Sequence, residues 1–228
     1  MPQNNIFYKI YKELYELHGP QGWWPLTDLK TFSNPDGYHH LDYSYPKTSS
    51  QIFEICIGAI LTQSTKWSAA KKALENLKEE NLLRPEKILK MDFSKLKTLI
   101  RCSGYFSQKS RKVKIFARYF LDLKNKVPTR ENLLSLWGIG PETADSILLY
   151  AYKVPTFVVD NYTKKIFSNL GVIDKSFDYE KIKNLFEDNL PRDFKLYQEY
   201  HALIVEHAKR YYINSDHTNC PLYRKFVK

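Results

Sequence analysis

A chain of 228 residues that is 43% hydrophobic can bury a proper core, as one large domain or two small ones. Its 35 Lys and Arg against 25 Asp and Glu leave a net charge of +10, which points to a polyanionic partner, nucleic acid first and an acidic membrane second. Three scattered cysteines (Cys56, Cys102, Cys220) exclude a disulfide framework, and no apolar run reaches the length of a membrane span, so a soluble intracellular protein is expected.

Ile6, Ile10, Leu14 and Leu17 recur at helical spacing and predict a helix over about residues 4–17, ended by Gly19 and Pro20. Residues 19–50 are rich in Pro, Gly, Asp, Ser and aromatics and have no stable period. So long an irregular segment is functional or partly disordered. It holds Trp23, Trp24 and Pro25, an adjacent tryptophan pair that is awkward to bury together, and His39 and His40, expected to be solvated.

Helices dominate the rest. "SSQIFEICIGAILTQ" is an apolar helix with a serine cap, and the next helix sets Trp67, Ala70, Leu74 and Leu77 on one face. "SQKSRKVKIFARYFLDLK", again with a serine cap, turns Val113, Phe116 and Phe120 inward and carries Lys109, Arg111, Lys112 and Lys114 as candidate phosphate contacts. "TRENLLSLW" is helical with Thr129 as cap, and near the C-terminus Tyr197, Tyr200, Ile204 and His207 share one stripe. Strand signals are few and short, so the fold class is all-α.

"LWGIGPETAD" has a specific physical reading. Gly138 and Gly140 permit positive φ and close approach to a partner. The N–H groups of Gly138, Ile139 and Gly140, with the helix start at Pro141 and Thr143 in its first turn, form an anion nest suited to a phosphate. The simpler reading is a plain αα-turn with a glycine cap; L-x-G-I-G-x-x-T-A is more specific than that. It resembles the helix-hairpin-helix motif, which grips a DNA backbone phosphate without reading sequence. Asp160 ends the apolar run "TFVV" and precedes the helical "NYTKKIFSNL". An aspartate there caps a helix.

The hairpin at Leu136–Ala144, Val154–Pro155 and Val158–Val159–Asp160 together resemble the endonuclease III superfamily of DNA glycosylases, also called the HhH-GPD superfamily. "FEICIGAILTQ", with its L-T-Q signature at Leu61–Thr62–Gln63, and the segment Gly104–Lys109 extend the match to roughly residues 50–215. The resemblance implies two helical lobes with a DNA cleft between them. One is a barrel lobe over 51–155 that ends in the hairpin. The other is built from 1–50 and 156–228. It implies Asp160 as the catalytic carboxylate, stabilising an oxocarbenium-like sugar cation or orienting a water, after the target nucleotide is flipped out.

Bifunctional members carry a lysine two residues after the second hairpin glycine, where it forms a Schiff base with the sugar. Here that residue is Glu142, which cannot form an imine, so base removal without strand cleavage is expected. "GWWPL" with "LTQSTKW" looks most like the 3-methyladenine DNA glycosylase III branch. That likeness places Trp23, Trp24, Pro25, Gln63 and Trp67 about the base pocket, where aromatic faces would attract a cationic N-alkylated purine by roughly 0.5–2 kcal/mol.

Many relatives hold a [4Fe–4S] cluster on four C-terminal cysteines with C-x6-C-x2-C-x5-C spacing. In that frame this chain has Arg210, His217, Cys220 and Phe226, so neither a cluster nor another metal or cofactor is expected. The expected partner is double-stranded DNA containing a damaged base, bound by a monomer in the cytoplasm of a bacterium or archaeon. Two other readings use the same residues: an endonuclease III-like glycosylase of other damaged or mismatched bases, and a non-catalytic helix-hairpin-helix DNA-binding protein.

Overall fold

The computed structural model describes residues 5–212 and 219–227. Its helices are α1 (Ile6–His18), α2 (Ser49–Leu61), α3 (Trp67–Glu79), α4 (Pro85–Lys90), α5 (Phe93–Leu99), α6 (Phe106–Asp122), α7 (Arg130–Leu134), α8 (Pro141–Ser146), α9 (Asn161–Asn169), α10 (Tyr179–Asn189), α11 (Phe194–Tyr211) and α12 (Pro221–Phe226). No strand occurs among the described residues, so the all-α expectation holds. No helix among them is long and apolar enough to cross a membrane.

Helix starts follow local chemistry. Asn5 caps α1 through the Tyr8 N–H, and Thr129 caps α7 through the Asn132 N–H, as expected. The cap of α2 is Thr48 rather than a serine; Thr48 and Gln51 form a capping box, each side chain taking the other's backbone N–H. The serine cap expected for α6 is also absent. That helix begins after Tyr105, held left-handed at φ 44°.

The chain divides into two compact units. One holds residues 24–38 and 44–152; the other holds 1–23, 39–43 and 153–228. The boundary thus differs from the expected break at residue 50, because the irregular segment is tied down on both sides. Thr27 donates its N–H (2.6 Å) and hydroxyl (2.8 Å) to Glu54, and Gln51 donates to Asp28 (3.0 Å), which fastens 26–28 to α2. The Leu26 N–H bonds the Gly37 carbonyl at 3.0 Å, and a Cβ on Gly37 (φ 79°) would lie 2.1 Å from the Leu26 oxygen. Residues 39–43 go with the other unit. His39 N–H donates to Gly22 O (3.2 Å), His40 Nδ1 lies 2.8 Å from Pro20 O, and the Tyr43 hydroxyl donates to Glu199 (3.0 Å).

In the first unit α2 is buried on almost every side from Phe53 to Leu61, with α3, α6, α8 and a π-turn at Ile147–Ala151 packed about it. The second unit is built on a ring cluster. Phe157 stacks on Phe186 at 4.0 Å and meets Tyr197 edge-on at 5.5 Å, while Tyr200 donates its hydroxyl to Phe7 O at 2.7 Å. Tyr197, Tyr200, Ile204 and His207, the stripe read from the sequence, are all buried.

Lys109 is not a phosphate contact. It is 1% exposed, and its ammonium donates to Leu61 O (2.7 Å) and Ser103 O (2.6 Å), closing the C-terminal end of α2. Its helix neighbours are also engaged. Lys112 bonds Gln63 Oε1 at 2.5 Å, Lys114 bonds Met91 O at 2.5 Å, and the Arg111 guanidinium lies 4.4 Å over the Trp137 ring.

Two predictions follow from this packing. Lys109→Met leaves two carbonyls without a donor and should cost roughly 2–3 kcal/mol in urea denaturation. Its affinity for undamaged duplex should keep the wild-type salt slope, whereas a lost phosphate contact would lower it. Burial of Glu54 outweighs its Thr27 donors and pushes its carboxyl up to about 7 from 4.5. A raised acid stabilises the fold below its unfolded pKa, and that stability is lost as pH rises through the folded value. Wild type should therefore lose up to about 3 kcal/mol more than Glu54→Gln between pH 4.5 and 8. Parallel pH profiles of the two proteins would show that Glu54 does not titrate in this window.

Candidate functional site

The hairpin joins α7 to α8. Arg130 grips the fully buried Asp145 with two parallel bonds of 2.9 and 3.0 Å, so the helices on either side of the turn are tied to each other. Gly138 takes φ 83°, and a Cβ there would come within 2.4 Å of the Lys112 side chain. Gly140 does not use the left-handed region; it caps α8 in extended conformation (φ −97°), and Pro141 occupies the first helical position. A Cβ on Gly140 would meet nothing within 4 Å, so the protein leaves open space there. Ile139 drops out of the expected donor set: its N–H closes a turn on Leu136 O at 3.1 Å and its side chain is buried. The N–H groups of Gly138 and Gly140 take no acceptor among the described residues.

Gln63, expected at a base pocket, braces the hairpin instead. Its amide nitrogen donates to Gly138 O (3.0 Å) and Thr143 Oγ1 (2.9 Å), and its oxygen accepts from Lys112. Thr143 is accordingly buried with its hydroxyl bonded to Gln63, which leaves its place in the first turn of α8 as its link to the nest. Glu142 is exposed in that same turn, where the helix dipole favours a carboxylate.

Of the expected base-pocket residues, Trp24, Pro25 and Trp67 come together in this unit. Trp24 is 4% exposed and meets Trp67 edge-on at 5.4 Å and Tyr150 at 5.3 Å. It lies so close to α2 that a Cβ on Gly58 would be 3.0 Å from its indole nitrogen. The cavity lined by Pro25 and Trp67 is about 10 Å³, too small for a purine. Trp67 itself is half-buried. Trp23 belongs to the other unit, with the Lys209 ammonium 5.6 Å over its ring.

Asp160 also lies in the other unit, at the head of α9. Its Oδ1 accepts from the Thr163 N–H (2.7 Å) and hydroxyl (2.8 Å), the cap expected of an aspartate there. Its Oδ2 lies 3.7 Å from Nε2 of His201, and 14% of its side chain is exposed. Sequence reasoning passed over His201; its one signal was the spacing of four from Tyr197 on the buried stripe. It also passed over Tyr150 and the Arg130–Asp145 pair, which carry no local motif.

In the C-terminal frame, Cys220 is buried with its sulfur 3.1 Å from His207 Nε2, and His207 Nδ1 is 2.9 Å from His18 Nε2. Burial first, then the neighbouring His18, holds His207 down to about 3, which keeps its own imidazole neutral. Arg210 pairs with Glu206 at 2.8 Å. His217, the second position of that frame, lies outside the described residues. Arginine and phenylalanine offer no ligand for iron, so Arg210, Cys220 and Phe226 do not fit a four-thiolate cluster.

Comparison with known proteins converges on one family. The family model described as "HhH-GPD superfamily base excision DNA repair protein" matches residues 57–192. A Methanocaldococcus jannaschii protein, provisionally named a DNA repair glycosylase, is 42% identical over 217 residues, covering 90% of this chain and 88% of its own. Among solved structures, the H. pylori 3-methyladenine DNA glycosylase (MagIII) bound to 1,N6-ethenoadenine matches with a TM-score of 0.68 at 29% identity, over 90% of this chain and 97% of that one. A non-covalent endonuclease III–DNA complex matches with a TM-score of 0.74 over 98% and 94% of the two chains; at 17% identity this speaks to fold alone. With more than half of its length matched by the family model and a 42% identical relative along nine-tenths of it, this chain belongs to the HhH-GPD superfamily of base excision DNA repair proteins.

Proposed function

We propose that this base excision repair glycosylase is monofunctional and removes N-alkylated purines such as 3-methyladenine from double-stranded DNA. One observation carries the reading: the chain joins a carboxylate with one oxygen outside its helix cap to an exposed glutamate at the hairpin position where an imine-forming lysine would stand. Asp160 Oδ2 can face a sugar whose glycosidic bond is breaking and stabilise its positive charge. Glu142 cannot attack the sugar to form a Schiff base. Of Lys153, Lys164 and Lys165, the lysines that follow it most closely in sequence, two are tied to carbonyls, Lys164 to Phe177 and Lys165 to Tyr212.

The purine preference is supported by the Trp24–Trp67–Tyr150 ring cluster and by the likeness to the H. pylori 3-methyladenine enzyme. An N-alkylated purine is cationic and a good leaving group, so a ring face and one carboxylate suffice without a strong general acid. The hairpin would hold a backbone phosphate on the Gly138 and Gly140 N–H groups while the nucleotide is flipped out. Nothing in the donor set at the C-terminal frame supports a [4Fe–4S] cluster, and no step needs one.

The test is base release from alkylated duplex, read by chromatography, with strand breaks read on a gel with and without alkali. Wild type should release 3-methyladenine and leave breaks that appear only after alkali, and Asp160→Asn should slow release on the order of a hundredfold or more. Release of oxidised or mismatched bases instead, or breaks without alkali, would refute the assignment; tight binding with no release would favour the binding module. Gly138→Ala forces a side chain into the left-handed region and against Lys112. Affinity for undamaged duplex should fall about tenfold, the equivalent of about 1.4 kcal/mol of strain, and an unchanged Kd would show that the hairpin does not grip DNA.

A further inference from the structure

Asp160 has two oxygens with different neighbours. Oδ1 is taken up twice by Thr163, through its N–H and its hydroxyl. Oδ2 is outside the cap and 3.7 Å from Nε2 of His201. His201 sits midway along α11, which packs against α9, and only 8% of its side chain is exposed. The separation exceeds a hydrogen bond, so the strength of the contact depends on whether the imidazole carries a charge.

The titratable groups on the elements around α11 are mostly turned elsewhere. Lys165 donates to Tyr212 O, the Tyr11 ring lies against Tyr200 at 5.2 Å, and His18 meets His207. Glu199 accepts from the Gln21 N–H and the Tyr43 hydroxyl. Asp160 is a charged group whose field acts on His201.

We propose that His201 is the positioning residue of the catalytic carboxylate, packing beside Oδ2 while neutral and withdrawing its charge from the sugar when protonated. The proton comes from solvent and returns to it, and no covalent bond changes. Burial lowers the imidazole pKa from its ordinary value and Asp160 pulls it part of the way back, so burial favours the neutral ring. A neutral imidazole leaves the full carboxylate charge for a developing sugar cation. An imidazolium at the same place competes with that cation for the same oxygen. This rests on Asp160 being the reacting carboxylate and is independent of which base is removed.

Two measurements test it on the full chain. The first is an NMR titration of the histidine rings in wild type and Asp160→Asn. Asparagine keeps the cap of α9, and the His201 midpoint should fall once the carboxylate is gone; an unchanged midpoint overturns the proposal. The second is single-turnover base release from pH 8 to pH 5, on whichever damaged duplex the wild type acts upon. The wild-type rate should fall tenfold per pH unit below the His201 midpoint. His201→Gln cannot be protonated; its rate at pH 7.5 should fall several-fold and then stay level as the pH drops to 5. A purely structural histidine would leave the acid limb in place in the variant, and that result also overturns the proposal. If His201→Gln does not fold, or if wild type acts on no damaged duplex and the functional reading fails, the NMR titration decides the pairing by itself.

Discussion

A buried helix end must have its polar groups satisfied by its neighbours, and α2, buried on almost every side from Phe53 to Leu61, has such an end. At its N-terminal end Thr48 and Gln51 close the capping box, and one turn on Glu54 takes the two Thr27 donors. At its C-terminal end Lys109 reaches in from α6 to take the Leu61 carbonyl. Two residues further on Gln63 ties the exit of the helix to both sides of the glycine hairpin. These bonds explain why the Trp24–Pro25 segment, the basic helix α6 and the hairpin all stay with α2 in one unit. Each supplies a hydrogen-bond partner to a polar group of α2 or of the residues at its exit.

The same accounting separates gripping groups from bracing groups. Lys109, Lys112 and Gln63 look like ligand contacts when only charge and motif are considered, yet each has its donors or acceptors engaged inside the protein. What the hairpin leaves unengaged are backbone N–H groups at Gly138 and Gly140, beside open space at Gly140. A phosphate contact made by peptide groups carries no sequence information, which suits a repair enzyme that must accept any flanking sequence. Asp160 shows a related economy: one oxygen caps α9 and the other lies outside the cap, 3.7 Å from His201.

Much of the site was readable in advance because its signals are local. Gly-Ile-Gly-Pro after a short capped helix specifies a tight turn and a helix start within a few residues. An aspartate between "TFVV" and a helical run specifies a cap. Those inferences needed no knowledge of distant contacts, and the structure places both features where the chain suggested. Gly140 does not use the positive φ that a glycine permits, because capping α8 calls for extended backbone there. Trp23 and Trp24 are adjacent in the chain, yet they fall in different units, and that division was not legible in the sequence.

By itself the sequence determined the helical class, the hairpin, the capping role of Asp160 and the absence of a lysine at position 142. Each of these depends on residue type and on spacing within one or two turns. The tertiary structure alone decided that Lys109 is a buried brace, that Gln63 serves the hairpin, that Trp24 packs against Tyr150, and that His201 stands beside Asp160. Those relations join residues between forty and more than a hundred positions apart. Their partners are set by how helices pack, and periodicity along one helix carries no record of which neighbour its buried polar groups will meet.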